Sequence, residues 1–267
     1  MPLPLKIGYI QGHPAFNDLE KTMQRLDPLL DRAASADLLV LPELCNSGYN
    51  FQSQAEAESS AEPVEDSRFL RFLEDKCREH RFFIATGFNE LEGDRLYNSA
   101  VLVGPDGYLG RYRKLHLFLN EKSFFQPGDS GLPVFDLGGY RVGLLVCFDW
   151  MFPEVWRVLA LKGADVICHP SNLVLPGYAQ QAIPVHALTG RVFVVTANRI
   201  GSEGELTFTG QSLIAGPRGE VLARGSQAGC EVGLESVDLE RARDKMITAR
   251  NHLVKDRRPE EYGFLVE

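Results

Sequence analysis

Apolar positions along the chain recur with two different periods, and the two alternate. Residues 6–11 form a short β-type run. Residues 18–34 then place Leu19, Met23, Leu26, Leu30 and Ala33 at steps of three and four, the stripe of an amphipathic helix. Residues 37–41 are a continuous apolar strand that stops at Pro42-Glu43. A second helix is expected from about 67 to 80, with Phe69, Leu73 and Cys77 on one face. Strands follow at 82–86 and 98–103, and the Pro105-Asp-Gly107 turn opens a hairpin that ends in Arg111-Tyr-Arg-Lys114. The second half repeats the style. Strand 140–147, apolar on both faces, leads to helix 154–162 and strand 165–168. Helix 179–190 leads to strand 191–196, a hairpin turns around 216–219, and a strand near 230–237 precedes a short helix and a polar tail. Such β-α alternation with interspersed hairpins predicts an α/β protein whose sheets are covered by helices. The acidic, Ser-rich stretch 52–65 is expected to be a surface loop. With no Gly/Ser-rich linker, residues 1–267 are expected to form one domain, ending in a tail over about 250–267.

Composition narrows the function. Hydrophobic residues make up 44% of the 267 and charged residues 24%, enough for a large core. A net charge of −8 argues against a nucleic-acid binder, which normally shows a basic face. The one dense basic run, Arg111-Tyr-Arg-Lys114, is short; as a surface patch it would suit a polyanion. The start at Met1 has no apolar core or cleavage site of a secretory signal, and no apolar run is long enough for a membrane span. Five Cys with no C-x-x-C suit reduced thiols, and six dispersed His without H-E-x-x-H offer no metal site. A cytoplasmic protein without metal is the expectation. No phosphate-binding glycine motif is present, so no nucleotide cofactor is expected either.

Candidate chemistry gathers at strand ends. Cys147 closes an apolar strand and precedes Phe148-Asp-Trp-Met-Phe-Pro153-Glu154 and a helical pattern. A thiol at such a turn projects from the sheet edge near backbone N–H groups able to hold an oxyanion. Placement before a helix is expected to favour thiolate. Glu43 follows a strand and Lys114 ends another, and ligands of parallel-type sheets gather at the carboxyl ends of strands. Other nucleophiles fit poorly: Gly210-Gln-Ser212 lacks the second Gly of a nucleophile elbow. A papain-like pairing of Cys147 with His116 or His169 stays open on these grounds. A buried, inert Cys147 is the bland alternative.

Three blocks, Leu41-Pro-Glu43-Leu, Tyr112-Arg-Lys114-Leu-His-Leu and Cys147-Phe-Asp-Trp-Met-Phe-Pro-Glu154, resemble those of the nitrilase (carbon–nitrogen hydrolase) superfamily in order and spacing. Tyr97-Asn-Ser-Ala, Glu121, Ala160-Leu-Lys-Gly-Ala-Asp165 and His169-Pro-Ser-Asn172 extend the likeness across the chain. The resemblance implies an α-β-β-α sandwich and a Glu-Lys-Cys triad needing no cofactor. In it Glu43 is the general base, Cys147 the nucleophile and Lys114 the oxyanion stabiliser, with Glu121 positioning Lys114 or the substrate. Phe148 would lend a backbone N–H to the oxyanion, and Tyr49, Trp150 and Asn172 are candidate substrate contacts. Phe125 and Phe152 add aromatic surface. The residues after Cys147 look more like the amidase and carbamoylase branch than the dedicated nitrilases. The absence of an Arg cluster points toward small neutral aliphatic amides. Nitriles and N-carbamoyl compounds are the alternatives, and a catalytically silent binding scaffold is the remote one. The resemblance also implies a homodimer or higher homo-oligomer, joined through helices near the nucleophile block and the C-terminal tail.

Overall fold

The computed structural model describes residues 4–266. Its strands are β1 (Leu5–Gln11), β2 (Leu38–Val40), β3 (Phe83–Glu92), β4 (Arg95–Gly104), β5 (Gly107–Arg113), β6 (Val134–Asp136), β7 (Arg141–Leu144), β8 (Val166–Ser171) and β9 (Phe193–Asn198). The two-residue strands β10 (Ser202–Glu203) and β11 (Leu206–Thr207) form a small ribbon. After them come β12 (Leu213–Ala215), β13 (Val221–Arg224) and β14 (Glu231–Val237). The helices are α1 (Leu19–Arg32), α2 (Gln54–Ser59), α3 (Arg68–His80), α4 (Glu121–Phe124), α5 (Pro153–Leu161), α6 (Tyr178–Gly190) and α7 (Glu240–Arg243).

Two six-stranded sheets carry the fold, in the orders β14-β1-β2-β3-β4-β5 and β13-β12-β9-β8-β7-β6. Each has a parallel centre, β1-β2-β3 in one and β7-β8-β9 in the other, and antiparallel flanks. Period-two alternation explains the layering. Leu38 and Val40 of β2 point into the core between the sheets, beside Val166 and Val194, while Leu39 and Leu41 face the opposite way. There they meet Leu26 and Leu30 of α1 and Phe69, Leu73 and Cys77 of α3. On the second sheet Trp156 and Leu159 of α5 and Ile183 and Ala187 of α6 form the matching outer layer. The result is the expected four-layer α-β-β-α sandwich.

Helix boundaries follow side-chain chemistry. The Asp18 carboxylate accepts the Lys21 N–H at 3.0 Å to start α1, and Ser67 Oγ accepts the Leu70 N–H at 3.0 Å to start α3. Pro153 occupies the first turn of α5, where its missing N–H has no intrahelical partner to lose.

Two expectations need correction. The stretch 52–65 is not simply a loop: α2 forms within it and buries Ala57, and Glu62 makes a bridge to Glu90 of β3. Its Ser-rich composition hid a helix because Ser53 serves as the N-cap, accepting the Glu56 N–H at 3.2 Å. The strand expected over 140–147 is regular only over Arg141–Leu144. The chain then leaves the ladder so that Cys147 can open a 3₁₀ turn, Cys147–Met151.

Candidate active site

Glu43, Lys114, Cys147 and Asn172 all lie just past the ends of β2, β5, β7 and β8. Strand β5, two antiparallel steps from β3, runs in the direction of β3, so its end falls on the same side. The two sheets thus deliver these residues to one edge of the sandwich. The Asn172 Nδ2 donates to the Glu43 carbonyl oxygen at 3.0 Å, tying the end of one sheet to that of the other.

Glu43 is held by its backbone. The Gly87 N–H donates to the Pro42 carbonyl at 3.0 Å, and the Cys45 N–H to the Gly87 carbonyl at 3.0 Å. At Gly87 the two segments come so close that an added Cβ would lie 2.2 Å from Glu43 Cα, so only glycine fits.

The side chains form a closed polar cluster. Lys114 Nζ donates to Glu43 Oε1 at 2.7 Å and to Glu121 Oε1 at 2.8 Å, and it is buried. Asn98 Nδ2, from the middle of β4, donates to the same Glu43 oxygen at 2.7 Å. The Tyr49 hydroxyl donates to Glu121 Oε1 at 2.7 Å. Glu43 Oε2 is buried with no hydrogen-bond partner among the described residues, and so are the Oδ1 atoms of Asn98 and Asn172. The cluster therefore commits one oxygen of Glu43 and leaves the other open.

Charge follows from this packing. Burial by itself would discharge Lys114, but the carboxylates of Glu121 and Glu43 more than offset it and hold the ammonium well above the usual lysine range. Burial raises the Glu121 carboxyl above its ordinary value against the pull of Lys114, with Glu43 adding to the rise. Cys147 departs from expectation. Burial first, and then Glu43, push its thiol well above the ordinary cysteine value, while Lys114 and the Asn172 N–H only partly oppose them. The resting sulfur is a thiol. The expected α-helix does not follow directly: a 3₁₀ turn does, and α5 begins only at Pro153.

That turn is clamped from beneath. Asp149 is fully buried, and its Oδ2 accepts the Val146 N–H at 2.9 Å and the Tyr112 hydroxyl at 2.8 Å. Its Oδ1 meets His116 Nδ1 at 2.7 Å, and its backbone carbonyl accepts the Trp156 indole N–H at 2.9 Å. Cys147 itself sits at φ +41°, the left-handed region that L residues rarely adopt. His169, buried in β8, bonds to the Cys147 carbonyl oxygen through Nε2 at 2.8 Å. Neither candidate histidine addresses the sulfur: His169 holds the backbone and His116 holds Asp149, so a papain-like pair is not formed.

Beside Tyr49 and Glu121 lies a cavity of about 70 Å³, lined also by Phe51, Phe124, Phe125, Leu119 and Leu206, with Asn50 and Asn120. No cation lines it. Trp150, expected against substrate, is 7% exposed and packs in the central core with its edge to Phe148; its carbonyl accepts His186 Nε2 at 2.8 Å. Phe152 stacks on His116, with ring centroids 3.6 Å apart. The basic run before Lys114 is not a surface patch. Arg111 pairs with Glu90 and Glu92, and Arg113 with Glu90, Glu92 and Asp129. Three of these partners lie on β3 or beyond the hairpin, out of reach of a reading along the local sequence.

Asn98 and Asp149 lay inside the recognised blocks without an assigned role. Their signal was a polar residue within an apolar run, which in a buried strand or turn must find a partner. Gly87 and Glu203 have no local signal in the sequence.

Comparison with known proteins identifies the family. The family described as carbon–nitrogen hydrolase matches residues 6–245. The chain is 48% identical over 262 residues to a protein named nitrilase from Pyrococcus abyssi, covering 97% of this chain and 99% of that one. It is 36% identical to an (R)-stereoselective amidase from Pseudomonas sp., covering 95% and 92%. Among solved structures, a cysteine-to-alanine mutant of the amidase from Nesterenkonia sp. AN1, in complex with butyramide, superposes with a TM-score of 0.81. Its identity is 28%, and 98% and 97% of the two chains are covered.

Proposed function

The chain belongs to the carbon–nitrogen hydrolase family and is a cysteine-type C–N hydrolase, and from that premise we propose that it is an amidase for small neutral aliphatic amides. The observation that carries the mechanism is the division of labour on Glu43. Oε1 is committed to Lys114 and Asn98, while Oε2 has no partner among the described residues, and the charge of Glu43 is one of the groups that hold Cys147 as a thiol.

As the sulfur attacks the amide carbon, the C–S bond forms and the thiol proton passes to Glu43 Oε2. The carbonyl oxygen becomes an oxyanion, held by the Lys114 ammonium and the Phe148 N–H. Glu43 then hands its proton to the departing nitrogen, the C–N bond breaks and ammonia leaves a thioester on Cys147. A water gives its proton to Glu43 and adds to the thioester. Collapse breaks the C–S bond, the acid is released and the proton returns to sulfur. Glu121 and Tyr49 hold Lys114 in place throughout, without giving up a proton.

Two features support the amide. A primary amide brings N–H donors to a site with unpartnered acceptors on Glu43 and Asn172, whereas a nitrile brings none. The cavity beside Tyr49 and Glu121 is small, carries five apolar lining residues and has no Lys, Arg or His among the described residues that line it. An apolar cavity of ~150 Å³ already accepts benzene, so a volume of about 70 Å³ favours a short acyl chain over a large one. The relative from Nesterenkonia sp. AN1, seen with butyramide, is of this kind. A second reading, hydrolysis of aliphatic nitriles, is favoured by the 48% identity to the Pyrococcus abyssi nitrilase. It would use the same sulfur, Lys114 and Glu43. N-Carbamoyl amino acids are less favoured, since no Arg lines the cavity among the described residues to meet their carboxylate; N-carbamoyl amines remain an alternative.

Ammonia release from propionamide, a larger aromatic amide, an N-carbamoyl amino acid and an aliphatic dinitrile, each beside Cys147→Ala, tests this. Cys147-dependent release from propionamide is expected. Release only from the dinitrile would replace the amide with the nitrile, and an active Cys147→Ala would remove the mechanism. The outward residues Val158 and Leu161 of α5 and Val185 and Leu188 of α6 are exposed, as are Phe264 and Leu265 of the tail. They support a homodimer that buries this face.

A further inference from the structure

We propose that Glu203 is a positioning residue for the reaction: it fixes the Tyr49 segment so that the Tyr49 phenol holds Glu121 against Lys114. The segment carrying Tyr49, residues 41–53, has turns but no helix or strand, and no backbone group outside the segment accepts the Tyr49 N–H. Glu203 supplies the location. Its Oε2 accepts the N–H of Tyr49 at 2.9 Å and of Asn50 at 2.8 Å, and its backbone carbonyl accepts Asn50 Nδ2 at 2.7 Å.

The anchor is itself rooted in the second sheet. Arg199, one residue past β9 and fully buried, donates through Nη1 to Glu203 Oε1 at 2.6 Å and through Nη2 to the Pro14 carbonyl at 3.1 Å. Its guanidinium also lies over the Phe208 ring, 4.1 Å from the centroid, and that ring meets Tyr49 edge-on at 6.0 Å. Backbone and ring of Tyr49 are thus both fixed from the same arginine. A buried ion pair is a poor source of net stability, because desolvation offsets most of its attraction. What this one provides is a fixed geometry, and the chain of contacts ends on the Oε1 of Glu121 that Lys114 also uses.

This inference rests on the reading of Glu43, Lys114 and Cys147 as the reacting groups, and its test keeps the two apart. Glu203→Asp keeps the charge facing Arg199 but draws the carboxylate back from the Tyr49 and Asn50 amides. With the best amide of the panel, and with active sites counted by the pre-steady-state ammonia burst, kcat per site is expected to fall by about 10- to 100-fold. KM is expected to stay within about twofold, and in a Tyr49→Phe background the same change should alter kcat by less than about twofold, since the phenol through which it acts is gone. Arg199→Gln/Glu203→Gln, which leaves no lone buried charge, gives the same comparison if Glu203→Asp does not fold. Losses that multiply in the Tyr49→Phe background, or a kcat per site that does not change, would overturn the role of Glu203. An active Cys147→Ala would instead remove the reading of the site on which it stands.

Discussion

At the scale of single residues, the site depends on how two carboxylates share one lysine. Glu43 and Glu121 both accept from Lys114 Nζ, yet only Glu43 retains an open buried oxygen, and this is why Glu43 is the one proposed to take the proton. Glu43→Gln keeps the size and leaves Glu121 to pair with Lys114, so the protein should fold. Its kcat is expected to fall by about 10²- to 10⁴-fold, the usual worth of a positioned general base, with the mutant checked by thermal melting. Gly87→Ala perturbs the same residue from behind. Its new Cβ has no room beside Glu43 Cα, so loss of activity is expected although residue 87 never touches substrate. Of these residues Glu43 was legible from its place after an apolar strand and within a recognised block. Gly87 was not, because its partner comes from a different strand and only the pairing of the strands creates the crowding.

At the scale of elements, the 3₁₀ turn Cys147–Met151 is the part most exposed to second-site damage. Asp149 satisfies the Val146 N–H and the Tyr112 hydroxyl in a buried setting. Asp149→Ala leaves both without an acceptor and should destabilise the fold by about 3 kcal/mol, measured by urea titration, and Tyr112→Phe by less. β8 contributes a pH dependence through His169, whose buried imidazole titrates at about 4 in place of 6.5. Burial is the main cause, and the bond to the Cys147 carbonyl opposes it only in part. The folded state binds this proton less readily than the unfolded one. The stabilising term is therefore fully present above pH 6.5 and is lost as pH falls toward 4, a loss approaching about 3 kcal/mol. His169→Asn should flatten that part of a stability–pH curve recorded between pH 7 and 4; an unchanged slope would mean that another group governs it. Sequence periodicity found most of these elements. It overran the strand before Cys147, because Leu145 and Val146 are as apolar as the ladder residues and only the position of Asp149 decides where the turn begins.

At the scale of the whole molecule, the outer face of α5 and α6 with the tail is the apolar surface most in need of a partner. Val185 is 54% exposed and Phe264 84%, and neither has a role in the site. Light scattering at micromolar concentration should report a dimer or larger assembly, and Val185→Glu/Leu188→Glu should shift it toward monomer. A monomeric wild type would count against the association.

Local chemistry in the chain was enough to place the long helices and most of the long strands in order, though not α2, β6 or the β10–β11 ribbon. It also predicted sheets covered by helices and, through three short blocks, singled out Glu43, Lys114 and Cys147 as candidates. Each of those depends on neighbours within a few positions or on a motif that survives in one dimension. What only the tertiary structure decided is everything that depends on convergence from distant segments. It kept Cys147 a thiol, because burial and the carboxylates of Glu43 and Glu121, brought from distant segments, outweigh Lys114 and the Asn172 N–H. It turned Arg111 and Arg113 from a basic run into ion pairs with Glu90, Glu92 and Asp129. It also brought Arg199 and Glu203 to Tyr49. The physical reason is common to all three: electrostatic and packing energies fall off with distance in space, and the fold, not the spacing along the chain, sets that distance.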